Sequence, residues 1–173
     1  MSGPLKDGET IGPQTEGIKG THVIINVKSG KALTQLDKDG VSYVVGQARK
    51  LGTANASQQW TVEYNTSARA FTFKNIKSGR LMTSDQLASA YAGDAYGVFV
   101  QPGTETSGTY WTVGESLWNG SYTITAKDFN TQVLELYNCG DTSDPNTVVN
   151  IATESSSSTD KQLWVFAAVG TRV

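Results

Sequence analysis

The 173-residue chain has one cysteine, one histidine and four prolines, and charged residues make up 17% of it. A lone cysteine cannot form an internal disulfide, and one histidine with one cysteine cannot supply the usual ligands of a transition-metal site. No long stretch places apolar residues at helical spacing, and no apolar run is long enough to span a membrane. We therefore expect no metal, no cofactor, no membrane insertion and little helix.

Basic patches are also missing. Lysine and arginine are scattered along the chain, and the formal net charge is -2, so the broad positive surface that binds a phosphate backbone is not available. We expect no nucleic-acid partner. Residues 1–20 hold no apolar run that could form the core of a signal peptide. Together with the lone Cys139, this predicts a soluble, cytoplasmic protein, for which non-classical secretion stays open.

What the chain does contain is glycine, 18 residues of it, and an internal repeat. NVKSGKALT at residues 26–34 returns as NIKSGRLMT at residues 75–83. A tryptophan in a similar setting follows each copy, within SQQWTV at 57–62 and GTYWTV at 108–113. A third, degenerate unit opens with YTITAKDFN at 122–130 and closes with KQLWVF at 161–166. Three units of about 50 residues follow from this spacing.

Each unit reads as four short strands separated by turn residues. In the first unit we place the strands at His22–Asn26, Ala32–Gln35, Val41–Gln47 and Gln59–Tyr64, and read Asp37-Lys38-Asp39-Gly40 as a turn. Such a unit cannot bury its own apolar face, so three must close around a shared core. A three-bladed propeller would be smaller than the usual minimum of four blades.

The predicted fold is therefore all-β: a β-trefoil of three roughly 50-residue, four-stranded repeats. We place the repeats at about 21–69, 70–120 and 121–169, within a single domain of residues 21–173. An N-terminal extension, residues 1–20, is expected to be partly disordered. We expect Trp60, Trp111 and Trp164 to be core residues, because their rings offer large apolar area to the axis of the barrel.

Two of these tryptophans belong to a Gln-X-Trp element, Gln58-Gln59-Trp60 and Gln162-Leu163-Trp164, and Thr109-Tyr110-Trp111 is a degenerate third. With the Asn-X-Lys-Ser-Gly opening of the first two units, the chain resembles the ricin B-type lectin family and is similar to single-domain mushroom lectins. The resemblance covers residues 21 to about 169. It implies a non-catalytic, carbohydrate-binding protein whose partners are glycans or glycoproteins, with several sites or a homodimer raising a weak affinity.

The resemblance also implies where a sugar site would lie. A carboxylate follows the opening element and accepts hydrogen bonds from two hydroxyls, while an aromatic face covers the sugar ring. At the carboxylate position this chain has Thr34, Thr83 and Glu135. The aromatic position falls near Gln47-Ala48, Gln101-Pro102 and Ile151-Ala152, none of which is aromatic.

The third repeat is consequently the strongest candidate site. Its polar set consists of Glu135, Tyr137, Asn138, Asn150, Asp160 and Gln162. Tyr137 follows Glu135 by two residues, which places both on one face of a strand and offers a ring from an unusual position. The other interpretation of Glu135 is an exposed, solvated carboxylate. The first repeat carries an uncharged version of the pocket, made of Thr34, Gln47, Asn55 and Gln58.

Catalysis needs a nucleophile with a base, paired carboxylates or a metal, and we find no such set. His22 alternates with an apolar residue and reads as a partly buried strand residue. A different class of function stays open, namely a β-trefoil protease inhibitor that acts through an exposed loop. The longest candidate loops are 84–97, 138–146 and 153–160.

Overall fold

The computed structural model describes residues 17–50, 55–84, 98–101, 103–115, 120–129, 132–137, 145–155 and 160–169. Twelve strands run through these ranges. The first repeat holds β1 (Gly20–Asn26), β2 (Ala32–Lys38), β3 (Val41–Gln47) and β4 (Trp60–Asn65); the second β5 (Ala70–Asn75), β6 (Leu81–Thr83), β7 (Val98–Gln101) and β8 (Trp111–Glu115); the third β9 (Tyr122–Ala126), β10 (Gln132–Leu136), β11 (Thr147–Thr153) and β12 (Trp164–Ala168).

Six of these strands close into a barrel. The first and fourth strands of every repeat pair antiparallel in the cyclic order β1-β4-β5-β8-β9-β12, and β12 returns to β1 over the five pairs from His22↔Ala168 to Asn26↔Trp164. The middle strands form three hairpins, β2–β3, β6–β7 and β10–β11. Strand β3 joins them, because it pairs with both β7 and β11. A six-stranded barrel capped by three hairpins is a β-trefoil.

The predicted β-trefoil is confirmed. In a propeller each four-stranded unit would form its own sheet, whereas here every repeat pairs with the next through a barrel strand. The strands of the first repeat lie within a few residues of their predicted bounds. Asp39 and Gly40 take positive φ values of 52° and 77° and form a two-residue turn between β2 and β3, which is shorter than predicted because Asp37 and Lys38 belong to β2. Most of the predicted N-terminal extension falls outside the described residues.

The three motif tryptophans form the centre of the core and repeat one geometry. Trp60, Trp111 and Trp164 are fully buried. Each indole Nε1 donates a hydrogen bond to the backbone carbonyl of a residue in the hairpin of its own repeat, at 3.0 Å, 3.1 Å and 3.0 Å to Leu33, Met82 and Leu134 respectively. The prediction of core tryptophans is confirmed. Each ring also ties its barrel strand to its cap hairpin.

The repeated Asn-X-Lys-Ser-Gly element has a second role besides the turn. Gly30 and Gly79 take positive φ and donate to the carbonyls of Asn26 and Asn75, which closes the turn. The buried Asn75 side chain then reaches into the preceding repeat, where its Nδ2 donates to the Ser57 carbonyl at 2.9 Å. Asn26 does the same to the Lys161 carbonyl at 2.9 Å. The element therefore joins neighbouring repeats.

Replacing Asn75 by Ala is expected to lower the free energy of unfolding by about 1–3 kcal/mol, because a buried carbonyl loses its partner. The third repeat supplies a comparison, since Ala126 occupies the same position and has no side-chain amide to reach the preceding repeat, while the equivalent backbone bond from Lys127 N to Tyr110 O is present. Urea unfolding of Asn75→Ala and of Ala126→Ser measures the difference. Equal stability of Asn75→Ala and the wild type would contradict this role.

A polar network joins the first hairpin to the opening turn of the second repeat. Asp37 accepts hydrogen bonds from Gln35, Ser42 and Lys77 at 2.9 Å, 2.7 Å and 2.9 Å. These bonds, led by the one from Gln35, hold the pKa of the Asp37 carboxyl well below its ordinary value of 3.8. Ser78 extends the network by donating to Gln35 Oε1.

A lowered pKa in the folded state makes this contribution depend on pH. The ionised Asp37 stabilises the fold fully above the ordinary carboxyl pKa, and its contribution is lost progressively as the pH falls below 3.8. The carboxylate and the Lys77 ammonium are half exposed, so we expect Asp37→Asn to cost only about 1 kcal/mol at pH 7. Denaturant midpoints of wild type and variant should converge toward pH 2; a constant difference would refute the assignment.

Candidate functional site

The carboxylate of the third repeat is held in a fixed orientation by the motif glutamine. Glu135 lies on β10 and Gln162 on a short 3₁₀ helix, Asp160–Gln162, just before the core Trp164. Gln162 Nε2 donates to Glu135 Oε2 at 2.8 Å and to the Thr153 carbonyl at 3.0 Å. Gln162 Oε1 accepts from the Ser155 amide at 2.9 Å. The glutamine is thus fully used in positioning the acid.

Glu135 is only 6% exposed, so the interpretation as a solvated surface carboxylate is wrong. The physical reason is that Gln162, from a separate helix, covers it and supplies a hydrogen bond. A cation compensates its charge: Lys161 Nζ lies 3.4 Å from Glu135 Oε2, with the lysine side chain 31% exposed. Both contacts fall on Oε2, and no described residue partners Oε1.

Asn150 completes the centre of this site. It lies on β11 directly opposite Glu135 in the antiparallel register, so the two side chains share a face of the hairpin. Its Oδ1 atom is buried and has no hydrogen-bond partner among the described residues. A buried acceptor without a donor is costly, and an external hydroxyl or water is the ordinary way to satisfy it. Two acceptors with unused capacity therefore lie on one face of the hairpin.

The other predicted residues of the third repeat are placed less centrally. Tyr137 follows the end of β10 and is exposed. Asp160 is exposed, and its backbone carbonyl accepts from the Leu163 amide. Asn138 lies outside the described residues. The sequence set thus contains a central group of Glu135, Asn150 and Gln162 with a more exposed rim.

The first repeat shows the same framework with its glutamine and threonine bonded to each other, while the buried Nδ2 of Asn55 has no partner among the described residues. Gln58 Nε2 donates to Thr34 Oγ1 at 3.2 Å and to the Ala48 carbonyl at 3.0 Å, and its Oε1 accepts from the Lys50 amide at 2.9 Å. The Thr34 hydroxyl donates to the Ala32 carbonyl. Both side chains are almost wholly buried. Geometry here supports a structural role.

Gln47 and Asn55 bond elsewhere and do not extend that pair. Gln47 Nε2 donates to Asn146 Oδ1 at 2.6 Å, because the cap pairs β3 with β11 and turns Gln47 toward the third repeat. Asn55 precedes the 3₁₀ helix Ala56–Gln58 and accepts a hydrogen bond from Ser57 at Oδ1. In the second repeat, Thr109 donates to Thr106 within its own 3₁₀ helix.

Lys161 is the residue that the sequence prediction missed. Lys161 directly precedes Gln162 in the sequence, and Gln162 was already grouped with Glu135. That adjacency could have indicated that the lysine lies near the acid. The three loops proposed for protease inhibition lie largely outside the described residues. The missing parts are residues 85–97 of the first loop, 138–144 of the second and 156–159 of the third.

Among the described residues, no group of three or more His, Cys, Asp or Glu side chains could hold a metal ion. His22 is partly buried, as predicted: its Nε2 bonds the Lys19 carbonyl at 2.9 Å and its ring packs edge-on to Phe166. No helix within the described ranges is long and apolar enough to cross a membrane.

The sequence profile of the ricin-type β-trefoil lectin domain-like family matches residues 56–152, more than half of the chain. No curated protein sequence matches the chain closely enough to count as a relative.

Several solved structures share the fold. A designed three-fold symmetric protein, ThreeFoil, is 18% identical, with 87% of this chain and all of that one covered at a TM-score of 0.69. A mosquitocidal holotoxin is 19% identical and covers 86% of this chain, which spans 17% of the toxin, at 0.70. The Macrolepiota procera ricin B-like lectin, solved with lactose, is 22% identical over 86% and 96% of the two chains at 0.64. At these identities the likeness shows the fold alone.

Proposed function

This chain belongs to the family of ricin-type β-trefoil lectin-like domains, and from that premise we propose that it binds carbohydrate, without catalysis, at the Glu135–Gln162 site of its third repeat. The observation that carries the proposal is the hydrogen bond of 2.8 Å that fixes the carboxylate through a buried motif glutamine. The same motif glutamine in the first repeat holds a threonine. Only the third repeat therefore presents a positioned acid.

The chemistry of this site suits vicinal hydroxyls. Glu135 Oε1 and Asn150 Oδ1 are both acceptors, and their residues pair directly opposite each other on the β10–β11 hairpin. Two neighbouring hydroxyls of a sugar ring would supply two donors for these two acceptors. The Lys161 ammonium lies 3.4 Å from Glu135 Oε2 and compensates the charge of the buried carboxylate.

An aromatic platform is not found at Ile151-Ala152 of β11. We propose the exposed ring of Tyr137 as its replacement. A site without a rigid platform binds weakly, and avidity from several sites or from a homodimer would then be needed for firm attachment to a glycoprotein.

Glycan-array screening of the folded protein, followed by calorimetric titration of the best hit, tests the proposal. We expect neutral glycans with at least one pair of vicinal hydroxyls among the hits. If a preparation with the far-ultraviolet circular dichroism of a β-protein binds no glycan above background, the proposed function is wrong.

The protease-inhibitor alternative receives no support from the family match or from the structural neighbours. It is tested by a panel of serine and cysteine proteases at micromolar inhibitor. Protease inhibition by a variant that no longer binds glycan would support the protease-inhibitor alternative.

Further attributes belong to the same proposal. We propose a fungal-type, cytoplasmic lectin in which residues 21–173 form one domain and no nucleic acid is bound. The resemblance to mushroom lectins, the single cysteine and the net charge of -2 support these points. Cell fractionation and limited proteolysis test the compartment and the domain boundary.

A further inference from the structure

A second group of polar and aromatic side chains lies away from the Glu135 site, where the three repeats meet. It consists of Asn65 at the end of β4, Glu105 and Tyr110 on either side of the 3₁₀ helix Ser107–Thr109, and Lys127 after β9. We call these four residues the junction cluster. Asn65 Nδ2 donates to Glu105 Oε2 at 2.7 Å, and the Tyr110 hydroxyl donates to the same oxygen at 2.8 Å.

The aromatic ring of this cluster is held at its hydroxyl end and has an ammonium near its face. Its hydroxyl is bound to Glu105, while Lys127 Nζ lies 5.9 Å from the centroid of the Tyr110 ring and donates to the Ala68 carbonyl. The nearby carboxylate raises the pKa of the Tyr110 hydroxyl, so it remains a donor throughout the working pH range. Fixed side chains lose little conformational entropy when a ligand binds.

The cluster also keeps unused hydrogen-bonding capacity. Both donors bind Oε2 of Glu105, and Oε1 has no partner in the described part of the chain. Glu105 is exposed and the Tyr110 ring is partly exposed. A ring, a free carboxylate oxygen and an ammonium thus lie together at the surface, beside an Asn65 amide that is already bonded to Glu105 and Ala68. Such groups can contact the hydroxyls and the C–H face of a saccharide.

The fold itself does not require this arrangement. At the middle position of the tryptophan motif, the first and third repeats carry Gln59 and Leu163, which are buried, whereas the second repeat carries the partly exposed tyrosine. At the position of the lysine, the other repeats carry the apolar residues Val27 and Ile76. The backbone bond that joins the repeats here is present in all three. The tyrosine and the lysine of the cluster are therefore found at only one of the three equivalent junctions between described repeats.

We propose that the junction cluster is a second, separate saccharide-binding site, with neutral sugars as its ligand class. The second repeat has Thr83 in place of the acid and Thr109 in place of the motif glutamine, so its usual pocket is missing. A site at the junction gives the protein two different binding surfaces. This inference stands independently of the Glu135 site.

Two-dimensional ¹H–¹⁵N NMR titration separates the two sites. The probes are lactose, N-acetylglucosamine and methyl α-mannoside, each raised into the millimolar range. With at least one probe we expect saturable shifts at the amides of residues 65–69, 105–110 and 127.

Tyr110→Ala should weaken the affinity read from these shifts about tenfold or more, because ring contact is lost. Glu105→Gln, an exposed substitution that preserves shape, should weaken it as well. Phe129→Ala removes an exposed ring next to Lys127 and serves as the matched control.

The pattern of shifts distinguishes the possible outcomes. Shifts at the junction that vanish in Tyr110→Ala and persist in Phe129→Ala support the proposal, whether or not the Glu135 site responds. Shifts at residues 133–137 and 160–163 alone overturn the junction site and leave the proposed function standing. If neither group of amides shifts with any probe, the junction site is overturned and the proposed carbohydrate-binding function is contradicted as well. Thermal unfolding of every variant excludes loss of fold as the cause; if Tyr110→Ala is unfolded, the affinity of Glu105→Gln decides between these outcomes.

Discussion

Replacing Glu135 by Thr is expected to weaken binding of the best glycan about 10- to 100-fold while the protein stays folded. Hydrogen bonds to a charged acceptor contribute about 1.5–3 kcal/mol, which corresponds to that range in Kd. Threonine is the matched replacement, because Thr34 and Thr83 occupy the same position in the other repeats. In the first repeat Thr34 already accepts the motif glutamine at 3.2 Å.

Calorimetric titration of wild type and Glu135→Thr with the best glycan measures this loss. Glu63→Thr removes an exposed carboxylate from β4 and is the control, for which we expect unchanged affinity. Glu135→Gln keeps the length of the side chain and accepts from Gln162, so it separates loss of charge from loss of packing. Unchanged affinity in Glu135→Thr with intact folding would show that the sugar binds elsewhere.

The fold could be predicted from the sequence because it depends on local features, the opening turn and the motif tryptophan, that recur along the chain. The turn of the opening element depends on a glycine at positive φ, as Gly30 and Gly79 show. The tryptophans recur at nearly constant spacing, and each bonds a carbonyl 27 to 30 residues earlier in its own repeat. Repetition makes such signals readable even where the third copy is degenerate.

The site was predictable only in part. Glu135, Asn150 and Gln162 were grouped from the sequence as one candidate site, and the structure brings the acid and the glutamine into contact and pairs the acid with Asn150. Whether the carboxylate is solvated or buried could not be read from β10, because the covering helix is 27 residues away. Gln47 was misplaced for a similar reason: the β3–β11 pairing turns it toward Asn146.

The junction cluster had no sequence signal. Its side chains come from three separate segments, and only the closure of the barrel brings Asn65 within 2.7 Å of Glu105. Locally, Asn65 resembles an ordinary turn residue, since its Oδ1 accepts from the Ala68 amide. Contacts of this kind depend on the tertiary fold, so they become visible only when one repeat is compared in space with the other two.

Replacing any one of the three motif tryptophans by Phe is expected to lower the free energy of unfolding by about 1–3 kcal/mol, since a buried carbonyl loses its indole donor. The three donor–carbonyl distances are nearly equal, at 3.0 Å, 3.1 Å and 3.0 Å. We therefore expect the three losses to agree within about 1 kcal/mol, which is less than the usual spread of stability changes among point mutants. Replacement by Ala removes the ring as well and should cost about 3–5 kcal/mol.

Urea unfolding followed by circular dichroism measures these losses without relying on the altered fluorescence. Domains have a total stability of about 5–15 kcal/mol, so an alanine variant would be partly unfolded only if the wild type lies near the lower end of that range, and the phenylalanine series carries the comparison. A much smaller loss for Trp164→Phe than for Trp60→Phe or Trp111→Phe would contradict the energetic equivalence of the repeats. The third repeat, which departs most from the others in sequence, would then contribute less to the core, and its departure would reflect relaxed packing instead of a binding site.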